Sequence, residues 1–392
     1  MGKVAVIHFS DCFFPRINGV SIAINTISNA LKEHQVYNII VSPSYESNSD
    51  VKFEDFYGID LIKVPSKTFV FNKEDRFMLF SYNQKLFNVI KSRVKNYSVV
   101  VFLFHNIMNS YFIGYNVMKL LQADEFKGKI LKIYYYHTFW EHYLHYLPLP
   151  KFISGNFLKI LEKQILRKMD YIMVANEHVK NVVNKKMGSE VRIVVNPLPI
   201  NQVFFNGKSS NLTNPPNEKY FVYVGRIGKE KNLYFLLDVF KELLAFDNDF
   251  YLYLIGDGPE KQNLISYSKC NGTFGRTLFL GYMPQDDIIG LYKYSQGVIF
   301  TSKTETLGLV ILEAMSSGGI VFTLDVPPFN SIINNLNDGV LVDYENSRYF
   351  AKKVFEIISD KDLSERIRKN AINRSQNFHP STFVHNFLSV IG

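Results

Sequence analysis

Val224-Gly225-Arg226-Ile227-Gly228-Lys229-Glu230-Lys231-Asn232 decides how this chain reads: a β-branched and aromatic run enters it and an apolar helical pattern leaves it. Glycines let a backbone approach a ligand, a helix start presents unpaired N–H groups, and Arg226 with Lys231 adds cationic donors. Together these make a pyrophosphate cradle. A plain strand-to-helix turn with surface charge explains the same residues, so the surroundings have to weigh in.

Those surroundings alternate short strands with helical patterns, which predicts parallel sheets covered by helices on both faces. Strands are predicted near 3–9, 36–41, 59–63, 98–104, 130–136, 171–174 and 191–194. A second series falls near 219–224, 251–255, 277–280, 297–300, 319–323 and 339–342. Between the series lies a stretch rich in Pro, Asn, Ser and Gly with no periodic apolar face. The expected organisation is an N-terminal domain over 1–197, a linker over 198–217 and a C-terminal domain over 218–377. A last helix over 378–392, periodic in Phe383, Val384, Phe387 and Val390, is expected to pack back on the first domain. Ligands of such sheets bind beyond the carboxyl ends of the strands, so two facing α/β domains would make an interdomain cleft.

Composition sets the outer bounds. At 392 residues and 47% hydrophobic, the chain is long enough for two domains with their own cores and is neither disordered nor a small disulfide scaffold. Cys12 and Cys270 stand alone, which suggests a reducing compartment. No apolar run approaches membrane-spanning length, so a soluble or peripherally bound protein made in the cytosol is expected. The net charge of +8 is uneven: residues 1–200 hold 25 basic against 16 acidic side chains, and residues 201–392 hold 19 against 20. A basic half suits nucleic acid, an anionic membrane or a phosphorylated ligand, and the lack of a long Lys/Arg run argues mildly against nucleic acid.

A second informative segment is Thr304-Glu305-Thr306-Leu307-Gly308-Leu309-Val310-Ile311-Leu312-Glu313-Ala314-Met315. Glu305 falls in the loop after a strand and Glu313 about two turns into the helix that follows. A carboxylate accepts hydrogen bonds from two vicinal hydroxyls, as sugar rings and ribose present them. A solvated glutamate pair is the plainer alternative, but the apolar residues between them make this helix mostly buried.

These segments resemble the retaining nucleotide-sugar glycosyltransferases of family 4, which have the GT-B fold of two facing Rossmann-like domains. Five pieces occur in the family's order: Gly225-Arg226 with Lys231-Asn232, Ile255-Gly256-Asp257-Gly258-Pro259, Phe279-Leu280-Gly281-Tyr282, Glu305 through Glu313, and Ser317-Gly318-Gly319. The resemblance implies that Gly225, Arg226, Lys231 and Gly256 surround the donor diphosphate. It gives the nucleobase to the backbone near Tyr282 and Met283, the ribose hydroxyls to Glu313 and the transferred sugar to Glu305. The amides of Thr306, Leu307, Gly308 and Leu309 would help bind sugar and phosphate through the helix dipole.

The N-terminal half is the acceptor side in that family. Asp11 through Val20 resembles the family's first-strand loop, where Gly19 permits close approach to the diphosphate and Asn18 stands where a second glycine is frequent. Tyr136-His137-Thr138-Phe139-Trp140-Glu141-His142-Tyr143-Leu144-His145-Tyr146 follows a predicted strand. It is similar to a pattern in bacterial diacylglycerol glucosyltransferases, with Glu141 one position from the most familiar spacing. His137, at a strand's carboxyl end, can hydrogen-bond sugar hydroxyls or serve in proton transfer, with Thr138, Glu141 and Tyr143 beside it. His137, His142 and His145 also read as metal ligands, but no carboxylate and cysteine set accompanies them, and the relatives need no metal. Asp247-Asn248-Asp249 precedes a strand and reads as a surface turn.

Two basic, aromatic stretches bear on a membrane: Phe69 to Phe80 leading into Lys85, Lys91, Arg93 and Lys95, and Lys151 to Leu161 leading into Lys163, Arg167 and Lys168. Read as amphipathic helices they would lie on an anionic surface, although a core-facing helix with a solvated basic side has the same pattern. The resulting expectation is a metal-independent retaining transferase with no cofactor, moving a hexose, glucose from UDP-glucose, to diacylglycerol at the cytoplasmic face of the membrane. His137, Glu305, Arg226 and Lys231 are the expected catalytic group. A polysaccharide or lipid-linked saccharide acceptor is the alternative, and a non-catalytic binder of nucleic acid or anionic surfaces the distant one.

Overall fold

The computed structural model describes residues 2–46, 50–69, 72–137, 151–188, 191–205, 218–303, 308–327, 329–343 and 346–392, with backbone alone for 69, 72–75 and 151–155. The chain divides into two compact units, residues 1–199 with 380–392 and residues 200–379.

In the first unit the elements run β1 (Val4–Phe9), α1 (Gly19–Glu33), β2 (Tyr37–Pro43), β3 (Lys52–Asp55), β4 (Asp60–Val64), β5 (Ser66–Phe69) and β6 (Asn72–Met78). There follow α2 (Asn83–Val94), β7 (Val99–Phe104), α3 (Asn109–Ala123), β8 (Lys129–Tyr136), α4 (Lys151–Leu166), β9 (Tyr171–Val174), α5 (Glu177–Met187) and β10 (Ile193–Val195). The main sheet has the order β10-β9-β8-β7-β1-β2-β4-β3, parallel apart from β3. Its strands are continuous apolar runs because helices cover both faces; Val100 to Phe104 are fully buried.

The second unit runs β11 (Lys219–Val224), α6 (Leu233–Phe246), β12 (Phe250–Ile255), α7 (Lys261–Asn271), β13 (Thr277–Gly281), α8 (Gln285–Tyr294) and β14 (Gly297–Phe300). Then come α9 (Leu309–Ser316), β15 (Val321–Leu324), α10 (Phe329–Ile332), β16 (Val340–Val342), α11 (Ser347–Ser359) and α12 (Lys361–Ser375). Its parallel sheet has the order β13-β12-β11-β14-β15-β16. The chain leaves β11 toward one edge and returns at β14 on the other side, so the loops after β11 and β14 flank a topological switch point, where such sheets hold ligands. In the first unit β1 and β7 stand in the same relation.

The last helix, α13 (Pro380–Ile391), belongs to the first unit. It buries Phe383, Val384, Phe387 and Ile391, packs against α1, and its Phe383 carbonyl accepts from Asn196 Nδ2 at 3.3 Å.

Three expectations need correction. Residues 72–78 are a strand paired antiparallel with β5, not part of a basic amphipathic helix; the helix starts at Asn83. Its apolar side, Leu86, Phe87, Ile90 and Val94, is buried in the core, and Lys85, Lys91 and Arg93 pair with Asp50, Asp124 and Asp60. The apolar face that a membrane would need is therefore spent on the core. The linker is also shorter than its composition suggests, since Leu198, Ile200 and Phe204 are buried; residues 206–217 lie outside the described residues.

Candidate active site

In the second unit the candidate site is built from backbone approaches at the strand ends. Gly225 N–H donates to Ile255 O at 2.9 Å and Gly256 N–H to Gly281 O at 2.7 Å, so three adjacent strands end in contact. A Cβ on Gly256, where φ is +126°, would lie 2.0 Å from Gly225 O; one on Gly258 would lie 2.3 Å from Ile227 O. These glycines are required by chain-on-chain packing before any ligand is considered. The sequence reading assigned Gly256 to the donor, and the structure supplies this second reason for it.

The loop after β11 carries Arg226, which is exposed, and Lys231, which is partly buried in a short 3₁₀ turn closed by Asn232 in the left-handed region. Thr301 Oγ1 lies 3.1 Å from Lys231 O and 3.0 Å from Asn232 O, and Ser302 Oγ donates to Glu230 O at 3.3 Å. The backbone at Lys231 is thereby tied to the start of the loop after β14. That loop ends at Gly308, whose φ of +70° turns the chain into α9, and among the described residues no side chain caps this helix start. Thr304, Glu305, Thr306 and Leu307 lie outside the described residues. Leu309 opens α9, and Tyr282 and Met283 follow β13, Tyr282 being 68% exposed.

Glu313 sits in the second turn of α9 between buried Leu312 and Ala314. Burial pushes its carboxyl up from 4.5 to about 7. A folded-state value above the unfolded one means that ionising Glu313 costs stability, which falls as pH rises from about 4.5 toward 7. Holding a poorly hydrated carboxylate is unfavourable by itself and suits a group that hydroxyl donors complete.

In the first unit the loop after β1 is pinned by Asn106, whose Oδ1 accepts from Asp11 N–H at 3.1 Å and from Ser10 Oγ at 3.1 Å. Asp11 Oδ1 accepts from Ser110 N–H at 2.7 Å in the first turn of α3. Asn18 accepts from Ser21 N–H at 2.9 Å in a capping box, so its side chain starts α1. Gly19 is the first residue of α1, exposed, and a Cβ there would meet nothing within 4 Å. His137 directly follows β8 and is 8% exposed; Thr138, Glu141 and Tyr143 lie outside the described residues. Burial brings the His137 imidazole down to about 3.

The sequence reading passed over what lies behind His137. His105 Nδ1 is 2.8 Å from His137 Nε2, and His8 Nδ1 is 3.0 Å from His105 Nε2, with both inner rings buried. The available signal was positional: His105 follows β7 as His137 follows β8, on neighbouring strands, while His8 interrupts an apolar run.

Asp247 pairs with Lys219 and accepts from Asp249 N–H at the amino end of β12, as a surface turn does. Cys12 is buried and Cys270 exposed, both as free thiols. Among the described residues no group of three or more His, Cys, Asp or Glu is arranged to hold a metal ion, and no helix is long and apolar enough to cross a membrane.

Residues 17–202 match the model of Glycosyltransferase Family 4, and residues 206–374 that of Glycosyl transferases group 1. The chain is 25% identical over 367 residues to an alpha-monoglucosyldiacylglycerol synthase of Streptococcus pneumoniae, covering 91% of this chain and 79% of that one. It is 23% identical over 385 residues to the synthase of the same name from Acholeplasma laidlawii, covering 93% and 90%. Among solved structures, a sucrose-phosphate synthase from Thermosynechococcus elongatus superposes with a TM-score of 0.72 at 17% identity, covering 99% of this chain and 97% of that chain. Anabaena HepE, solved with UDP and glucose, superposes with a TM-score of 0.72 at 15% identity, covering 100% and 99%. With a sheet switch point in each unit and matched regions over nearly its whole length, the chain belongs to the family 4 glycosyltransferases and has the GT-B fold.

Proposed function

We propose that the protein is a retaining, metal-independent glucosyltransferase that uses UDP-glucose to glucosylate diacylglycerol at an anionic membrane surface. The observation that carries the donor half is the tie from Thr301 to the Lys231 loop. It holds Lys231 beside the start of the loop that runs into the uncapped start of α9, and a helix start with a cation near it is where a diphosphate is best stabilised. Arg226, Lys231 and the amides of Gly308 and Leu309 take the diphosphate, and Glu305 the transferred glucose. Tyr282 and Met283 take the base, and Glu313 the ribose. No metal or other cofactor enters this reading. Attack comes from the face the diphosphate leaves, which retains the anomeric configuration. His137, brought down to about 3, is a weaker base than a departing diphosphate, whose last ionisation lies near 6. The acceptor's proton therefore leaves with the diphosphate, and His137 serves as a hydrogen-bonding partner.

The acceptor half rests on the names of the two full-length relatives and on α4. There Phe157 and Ile160 share a face, at 63% and 60% exposure, with Lys163 a turn beyond Ile160 and Arg167 just past the helix end. Aromatic and aliphatic side chains flanked by cations suit the interface of anionic lipid. Incubation with UDP-[14C]glucose and vesicles of diacylglycerol with phosphatidylglycerol is expected to send label into the organic phase. Label passing only to a water-soluble saccharide would replace diacylglycerol as the acceptor. The double variant Phe157→Ser, Ile160→Ser is expected to bind these vesicles about 10-fold more weakly, because it removes two apolar side chains from the bilayer boundary. Unchanged sedimentation with vesicles would take α4 out of membrane binding.

Glu313 makes donor binding depend on pH. Ribose hydroxyls donate to the ionised carboxylate and so draw its pKa down from about 7. UDP-glucose, whose diphosphate does not titrate near neutrality, is expected to bind more tightly as pH rises from 6 to 8 and to release protons on binding. Calorimetry in two buffers of different ionisation enthalpy reads this directly. Equal apparent enthalpies would remove Glu313 from the ribose.

A further inference from the structure

The three buried histidines of the first unit form a chain with a direction, and one amide sets that direction. Asn38 Nδ2 donates to Val36 O at 2.8 Å and to Ser28 O at 3.3 Å, which fixes the amide so that Oδ1 faces His8 Nε2 at 3.2 Å. An amide oxygen only accepts, so His8 Nε2 carries the hydrogen. Ser28 Oγ, 3.3 Å from the same nitrogen, then accepts as well. In a neutral ring the other nitrogen is bare, so His8 Nδ1 accepts from His105 Nε2–H at 3.0 Å. By the same step His105 Nδ1 is bare and accepts from His137 Nε2–H at 2.8 Å. The His8 and His105 rings lie within 6° of one plane, and those of His105 and His137 within 27°, as in-plane N–H to N bonds require. Tyr135, stacked on His137 at 4.7 Å, holds the last ring from its face.

Neutrality is the condition for this relay, and burial supplies it. All three rings are held below the ordinary histidine value, His8 at about 4 and His137 at about 3, with His105 also lowered. A chain of neutral imidazoles has two polarities, and without Asn38 they would be close in energy. With Asn38 the reversed one would set a bare nitrogen against a carbonyl oxygen in a dry interior, a buried mismatch of the costly kind.

We propose that Asn38, acting through His8 and His105, locks His137 as the Nε2–H tautomer, so that before transfer its bare Nδ1 accepts the hydrogen bond of the hydroxyl that receives the sugar, whose proton then passes to the diphosphate as that group leaves. Among the described residues no group partners this Nδ1. His8, His105 and Asn38 are positioning residues: they touch no substrate and act on its orientation through His137. The proposal rests on the acceptor side assigned above, and it adds the tautomer and the residues that impose it.

Long-range 1H–15N correlation of the free protein, with histidine labelled in 15N, reads the tautomer without substrate. The expected spectrum shows a protonated Nε2 and a bare Nδ1 at His8, His105 and His137; a protonated Nδ1 at His137 overturns the proposal whatever the acceptor. Two variants connect the tautomer to turnover. His105→Gln keeps the polarity, since its amide oxygen accepts from His137 and its NH2 donates to His8, and it is expected to retain the His137 signature and most of kcat. His105→Phe removes the acceptor and is expected to lower kcat about 10- to 100-fold with KM for UDP-glucose unchanged. An equal loss in both variants, or none in His105→Phe, overturns the proposal. Should His105→Phe not fold, the native spectrum and the Gln variant still decide. The expected tautomer together with full turnover in His137→Ala would instead overturn the placing of His137 against the acceptor, which is the reading beneath the proposal.

Discussion

Lys231→Ala is expected to lower kcat/KM for glucosyl transfer by about 100- to 1,000-fold while the chain stays folded, and Arg226→Ala to lower it by a similar factor. Cations placed where charge develops on a leaving group contribute most of their stabilisation in the transition state, at roughly 3 to 4 kcal/mol for one well-placed donor. Their positions favour an electrostatic role over a structural one. Arg226 is exposed on the loop after β11, and the loop's own shape comes from backbone contacts, Thr301 with the carbonyls of Lys231 and Asn232 and Ile227 with Asp257. Circular dichroism should therefore match the native chain in both variants. Steady-state rates with UDP-glucose and diacylglycerol vesicles give the outcome, and turnover within a few-fold of native in both would remove the two cations from the diphosphate.

The second large effect separates two kinds of glycine. Gly256→Ala is expected to destabilise the second unit by about 3 kcal/mol or more, because its Cβ would stand 2.0 Å from a backbone oxygen at a φ of +126°, and neither neighbour is a side chain that can swing away. For a unit of this size that is a fall in Tm of roughly 6 to 12 °C. Gly19→Ala has the opposite profile. Its Cβ meets nothing within 4 Å and the residue opens α1, so Tm is expected to hold while transfer falls, the new methyl standing where the reacting centre is assigned. Differential scanning calorimetry beside the transfer assay separates the two. A stable Gly256→Ala would mean that the β11 and β12 ends part more easily than their 2.9 Å hydrogen bond suggests.

The contrast between these glycines shows how far the amino-acid order reaches. Parallel strands buried on both faces leave continuous apolar runs, so the expected strands at 98–104, 171–174, 219–224 and 297–300 coincide with β7, β9, β11 and β14 to within a residue. What it missed in the fold is the short antiparallel work, β3 and the β5–β6 pair. These strands are polar in sequence, and β3 is mostly exposed, so no periodicity marks them, and pairing with a neighbour is what makes them strands. The same weakness produced the membrane helix over 69–80.

For the site, the candidates could be read from the chain by itself, namely the order of the segments assigned to the donor, Arg226 with Lys231, and Glu305 with Glu313, because loop chemistry is local and leaves its residue types in a row. Only the tertiary structure decided which glycines serve the fold, that α2 buries its apolar face while its cations pair with acidic neighbours at the surface, and that His8, His105 and His137 touch. Those three are 97 and 32 residues apart along the chain. Strand register sets them side by side, and nothing local to any one of them foretells the other two. A contact of that kind exists only once three strands have paired, and burial then removes the water that would otherwise have completed each ring's hydrogen bonds.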